Sequence, residues 1–152
     1  MLATAATVAT AAGLWFLIHL RQESERRRIA EETQRDVEAL IARAEHAAEQ
    51  GSHAAAAKHY EKVLTLDQNN VKAILFLAAV AQENGRLNDA KLLLARVTNT
   101  TDQLAATAKF LEGTIALEEH QAQAAESLLK ESHRLRPEWF PPLRELLQLY
   151  SL

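Results

Sequence analysis

The chain has 152 residues, of which 48% are hydrophobic and only 5% aromatic, and its formal net charge is −3. Four glycines and three prolines leave few helix breaks, so the composition favours a single all-α fold of about domain size. The weakly acidic balance argues against nucleic acid as a partner, and the absence of cysteine excludes disulfides and thiolate metal sites.

Residues 2–20, LATAATVATAAGLWFLIHL, form the first predicted element and carry no Asp, Glu, Lys or Arg. As a helix this stretch spans about 29 Å, close to the roughly 30 Å of a bilayer's hydrocarbon. We therefore predict a single-pass transmembrane helix at 2–20 that is embedded in the lipid bilayer. Because Arg21 and the arginines at 26–28 follow it, the rest of the chain is expected in the cytosol. A periplasmic or other non-cytosolic face is the alternative.

Three small residues, Ala5, Ala9 and Gly13, lie four apart on one face of this helix. Small residues at that spacing allow a second membrane helix to approach closely. They therefore predict packing against another membrane protein, although an Ala-rich segment also produces such spacings by chance.

Residues 21–36, RQESERRRIAEETQRD, are charged and contain no glycine or proline. Glu25 and Arg28, and Glu31 and Arg35, stand at helical spacings of three and four residues, which favours a solvated helix. We predict a charged helical stalk here, with a flexible linker as the alternative.

A pattern of helix, turn and helix begins at Val37 and returns with a period of 34 residues. Adding 34 residues takes Gly51 to Gly85 and Ala56 to Ala90. One residue is inserted in the next copy, so Ala90 there corresponds to Ala125. Small residues also recur in the first helix of each copy, at 44, 78 and 113, where they allow paired helices to pack closely. A repeat of this length predicts a solenoid.

Residues 37–139 resemble tetratricopeptide repeats in three copies, at 37–70, 71–104 and 106–139. The resemblance is carried by GSHAAAAKHYEKVLTLDQNN at 51–70, by NGRLNDA at 84–90 and by Leu135-Arg136-Pro137. It implies a solenoid of helical hairpins. The chain departs from the family pattern at His120, which replaces the turn glycine, and at Arg43 and Glu112, where leucine is usual.

The chain ends in a predicted capping helix at 141–152. Trp139-Phe140-Pro141-Pro142 forms a rigid corner, with a proline suited to the first turn of a helix. Leu143, Leu146, Leu147 and Tyr150 then recur at helical spacing, as in a helix that covers the flank of the last repeat.

No residue pattern in the sequence indicates catalysis. The six histidines form no pair at a spacing of four residues, and the four glycines are too scattered for a phosphate-binding loop. We therefore predict no enzyme activity, no metal or other cofactor and no small-molecule substrate.

The resemblance implies a concave, protein-binding groove lined by the first helix of each copy. The positions that match are Glu38, Ile41, Glu45, Glu49, Lys72, Leu75, Ala79, Glu83, Thr107, Phe110, Thr114 and Glu118. This set has an apolar floor and acidic surroundings, which suits a basic amphipathic segment. It lacks the basic cluster that holds a terminal carboxylate in chaperone-binding members of the family. Alternatively, the glutamates are ordinary solvated positions.

These observations predict a non-catalytic, membrane-anchored scaffold or accessory subunit that assembles a membrane protein complex. The alternative is a receptor for basic amphipathic targeting peptides at a membrane surface, as in protein import.

Overall fold

The computed structural model describes residues 2–98 and 100–151, with side chains described from Leu14 onward. Within these residues the chain is entirely helical apart from turns and short connections. The helices are α1 Leu2–Glu49, α2 His53–Leu66, α3 Val71–Glu83, α4 Leu87–Leu94, α5 Asp102–Glu118, α6 Ala122–Leu135 and α7 Pro141–Tyr150.

The prediction of a transmembrane helix at 2–20 is wrong. Among the residues that the structure describes, no helix is both long enough and apolar enough to cross a membrane. Residues 2–13 are mostly alanine and threonine, which are only weakly apolar, and Arg21 begins the charged stretch, so few strongly apolar side chains lie between them. The predicted packing residues Ala5, Ala9 and Gly13 lie outside the described side chains.

The chain divides into two compact units, the first ending at Ala39 and the second beginning at Leu40. The first unit is part of α1, and the predicted stalk at 21–36 is helical throughout. The second unit holds the end of α1 and the six helices after it, and contains the core formed by α3, α4 and α5.

Three helix ends in the second unit share one turn geometry, at Gly51, Gly85 and His120. Their φ angles are 74°, 71° and 61°, all in the left-handed region. In each turn the amide of that residue donates to the carbonyl three residues back, at 2.8–3.0 Å. The next amide donates to the carbonyl five residues back, at 2.8–2.9 Å. His120 therefore adopts the same helix-ending motif as the two glycines.

Small residues lie buried where paired helices meet. They recur at the repeat spacing: Ala44, Ala78, Gly113, Ala56, Ala90 and Ala125. At Gly113 a Cβ atom would stand only 2.9 Å from the Cγ and Cδ2 atoms of Leu129, which is fully buried in α6. Because Leu129 has little space to move, α5 and α6 can approach this closely only with glycine at 113.

Helices α4 and α7 depart from the regular pattern of the sequence. Helix α4 is short and ends at Leu94, after which Val97 packs against the core from a non-helical segment. Helix α7 packs against α6 and α5, as a capping helix should. Its apolar stripe is only partly covered, since Leu146 is buried whereas Leu147 is 70% exposed.

The shared turn predicts opposite effects of matched substitutions. Gly85→Ala is expected to destabilise the fold by about 1 kcal/mol, because a Cβ atom is strained at positive φ. No atom lies within 4 Å of the added carbon, so the cost comes from the backbone alone. His120→Gly removes the same strain and is expected to raise stability by up to about 1 kcal/mol. Urea unfolding measures both, and a loss of stability in His120→Gly would contradict the shared geometry.

Candidate interaction groove

Two adjoining cavities form a groove on the second unit, and they share Ala79, Phe110 and Leu111. The first, here the aromatic cavity, has a volume of about 420 Å³ and includes Tyr60, Leu75, Phe76, Leu104, Phe110 and Trp139. The second, here the carboxylate cavity, has a volume of about 450 Å³ and includes Gln82, Glu83, Thr114, Glu118, Arg144 and Glu145.

Two aromatic pairs build the aromatic cavity. Tyr60 of α2 lies against Phe76 of α3, with ring centroids 4.7 Å apart. Phe110 of α5 meets the edge of Trp139 at 5.1 Å, and the guanidinium of Arg136 stands 5.4 Å from the centre of the Trp139 ring. Each pair joins two segments of the chain, and Phe76, Phe110 and Trp139 are only half-buried. The cavity therefore presents preformed aromatic surface to a ligand.

One ion pair lies at the edge of the aromatic cavity. Lys72 Nζ donates to Glu45 Oε1 at 2.9 Å, and about half of each side chain is exposed. An exposed pair of this kind contributes little to stability. Burial, and to a smaller extent the negative charge of Glu45, raises the pKa of Tyr60 above its usual value.

The carboxylate cavity is polar and acidic. Gln82 Nε2 donates to Thr114 Oγ1 at 3.0 Å and to Glu118 Oε1 at 2.7 Å, which links α3 to α5. The Arg144 guanidinium pairs with its neighbour Glu145 at 3.2 Å. Glu83 and Glu118 are the last residues of α3 and α5, and neither helix has a basic residue in its last turn. The negative ends of two helix dipoles therefore add to the carboxylate charge.

Most of the predicted groove positions line these cavities. Those that do are Glu45, Lys72, Leu75, Ala79, Glu83, Thr107, Phe110, Thr114 and Glu118. Ile41 and Glu49 line neither cavity, and Glu38 belongs to the unit that ends at Ala39. A binding role for any of the twelve stays a prediction.

The sequence prediction missed three aromatic residues of the groove. It considered only the first helix of each copy, whereas Tyr60 comes from α2 and Trp139 from the connection after α6. Phe76 lies on α3, next to the predicted Leu75. The available signal was composition: aromatics are 5% of the chain, so a position that carries one merited separate attention.

The chemistry of the groove is that of binding. It combines an apolar floor, amide and hydroxyl groups, and carboxylates at one end. In the part of the chain that the structure describes, no cluster of His, Asp or Glu is suited to a metal ion.

The fold and groove define an all-α solenoid of helical hairpins, a class that typically provides non-catalytic interaction scaffolds. A family model described as tetratricopeptide repeat matches residues 47–109. Residues 47–109 therefore carry tetratricopeptide repeats, which confirms the resemblance of the sequence.

Solved structures with a similar fold include two of MamA. The chain matches "Crystal structure of MamA protein" with a TM-score of 0.59 and 23% identity, over 76% of its own length. It matches "Crystal structure of MamA" with a TM-score of 0.56 and 25% identity, over 71% of its length. In both cases it spans 63% of the other chain. No curated protein matches the sequence.

The burial of Tyr60 predicts a measurable titration. Tyr60 and Tyr150 are the two tyrosines of the chain, so Tyr150→Phe leaves Tyr60 as the single phenol. In the folded chain, the tyrosinate absorbance of Tyr60 is expected to rise with a midpoint at higher pH than in urea, where the phenol is solvated. Adding Glu45→Gln should move this midpoint only part of the way towards the value in urea, because burial contributes more to the raised pKa than the charge of Glu45 does.

The same shift has a consequence for stability. A raised pKa in the folded state means that the contribution of Tyr60 is complete below about pH 10 and is lost as the pH rises through the folded pKa. Tyr60→Phe should therefore show a smaller alkaline loss of stability than Tyr150→Phe. Equal midpoints for Tyr60 in the folded and unfolded chain would contradict its burial beside the groove.

Proposed function

We propose that this protein is a non-catalytic scaffold that assembles a protein complex by holding an apolar segment of a partner in its groove. The aromatic cavity is the observation that carries the proposal. Its walls come from the end of α1, from α2, α3 and α5 and from the connection after α6, so the packing of the repeats fixes its shape before any partner binds. A preformed site loses little conformational entropy on binding.

The size of the cavity limits what one contact can provide. A volume of about 420 Å³ suits one or two bulky apolar side chains. Full burial of such a side chain contributes about 1.5–3 kcal/mol, so a single anchor gives weak binding. The scaffold proposal therefore requires further contacts along the groove or several attachment points within the complex.

Two finer predictions remain about the setting of this complex. We keep as predictions that the complex contains a membrane protein and that the repeats face the cytosol. A receptor for basic amphipathic targeting peptides is the second candidate function, and the carboxylates at one end of the groove favour it. The two functions differ in whether the partner is a stable subunit or a passing peptide.

Substitutions in the aromatic cavity test the proposal. Phe110→Glu and Thr107→Glu each place a carboxylate on its wall, and both should remove the partners that co-purify with the native chain, at least tenfold by quantitative mass spectrometry. Thr107 lies outside the Phe110–Trp139 pair, so Thr107→Glu blocks the cavity without disrupting that contact.

The matched control is Leu92→Glu. Leu92 is 70% exposed on α4 and lines neither cavity, so the same new charge should leave the partners in place. Circular dichroism should show equal helix content in all three variants. Partners that persist in both groove variants would refute the proposal.

A further inference from the structure

We propose that the groove takes an amphipathic helix of a partner protein, with a bulky apolar side chain in the aromatic cavity and a lysine or arginine in the carboxylate cavity. This inference rests on the proposed function, since it names the chemistry of the partner that the scaffold holds. It depends on three features of the groove: its hydrogen-bonding groups, its distribution of charge and its length.

The hydrogen-bonding groups of the aromatic cavity favour a helix over an extended peptide. An extended peptide leaves its own amides and carbonyls to be satisfied by the protein, whereas a helix satisfies them internally. The side chains with hydrogen-bonding groups at this cavity are Tyr60, Glu45, Lys72, Thr107 and Trp139, and the charged two already bind each other. The amide side chain in the groove, Gln82, lies in the other cavity and bridges Thr114 and Glu118.

The charge of the groove is concentrated at one end. Three carboxylates and one guanidinium line the carboxylate cavity, and the guanidinium, on Arg144, already pairs with Glu145. Glu83 is exposed to solvent. Glu118 accepts a hydrogen bond from the amide of Gln82, which is neutral and so leaves the negative charge of Glu118 in place. At the other cavity Lys72 balances Glu45. A cationic side chain is therefore favoured at the carboxylate end alone.

The backbone of α3 and α5 strengthens this preference. Both helices end at the carboxylate cavity, with Glu83 and Glu118 as their last residues. A carboxylate at a helix carboxyl end is unfavourable for the helix itself, because it meets the negative end of the dipole. The two glutamates thus oppose local helix stability, and a bound cation relieves that repulsion.

The spacing of the two cavities sets the spacing in the partner. Phe76 and Glu83, each lining one cavity only, stand at positions i and i+7 of α3, and Thr107 and Thr114 repeat that interval on α5. Two turns of helix cover about 10 Å. The apolar anchor and the cation of a helical partner should therefore also be separated by seven residues, because that places both on one face two turns apart.

Fluorescence of Trp139 can test this directly. Trp15 and Trp139 are the two tryptophans of the chain, so Trp15→Phe leaves a single reporter in the aromatic cavity. The probes are three capped, alanine-rich peptides of about 15 residues. Each carries one phenylalanine anchor. The first has lysine at i+7, the second glutamate at i+7 and the third lysine at i+3.

The lysine i+7 peptide should bind about fivefold more tightly than each of the other two, as expected for one or two partly exposed charge contacts. This preference over the glutamate peptide should disappear in Glu83→Gln/Glu118→Gln. It should persist in Glu32→Gln/Glu61→Gln, which removes the same charge from exposed residues that line neither cavity. The first double variant should melt no lower than the native chain.

The outcomes separate the two proposals. If the glutamate or the lysine i+3 peptide binds as tightly as the lysine i+7 peptide, and Phe110→Glu abolishes that binding, the inference fails while the groove remains a binding site. If Phe110→Glu and Thr107→Glu leave the binding of every peptide unchanged, the groove is not the site and both proposals fail.

Discussion

The structure depends on the close approach of paired helices, which small buried side chains permit. At Gly113 this constraint is visible atom by atom, because a single added carbon would collide with Leu129. Ala78 and Ala90 occupy the corresponding buried positions of α3 and α4. Helices packed in this way hold α3 beside α5. The aromatic side chains of α3 and α5 therefore line the same groove at fixed positions. Packing far from solvent therefore determines the shape of the candidate binding site.

The two ends of the groove differ in what they contribute to the folded chain. The aromatic cavity stabilises the fold through the contacts of Tyr60 with Phe76 and of Phe110 with Trp139. The carboxylates at the ends of α3 and α5 oppose the helix dipoles instead. Side chains that work against local stability are typical of functional positions. This contrast supports a partner that is apolar at one end and cationic at the other.

The sequence predicts the repeat architecture of this protein better than it predicts the residues of the groove. The period of 34 residues and the small residues at 44, 78 and 113 predicted the solenoid, because a repeat pattern survives local departures such as His120. The aromatic cavity depends on Tyr60 and Trp139, whose meeting with the first helices is a tertiary effect that no local pattern encodes. The prediction of a membrane helix at 2–20 is wrong, since an uncharged segment of spanning length must also be strongly apolar to cross a membrane. Helix α4 ends early at Leu94, although its sequence continues the periodic pattern.

Hydrogen–deuterium exchange on the full chain, with and without the lysine i+7 peptide, tests the central claim most directly. The peptide should slow exchange in the carboxyl-terminal halves of α3 and α5 and around Trp139, since these segments line the groove. Helix α4 should exchange equally in the two samples. Protection confined to α4, or to residues 14–36 of α1, would show that the groove between α3 and α5 does not bind the peptide and would contradict the account.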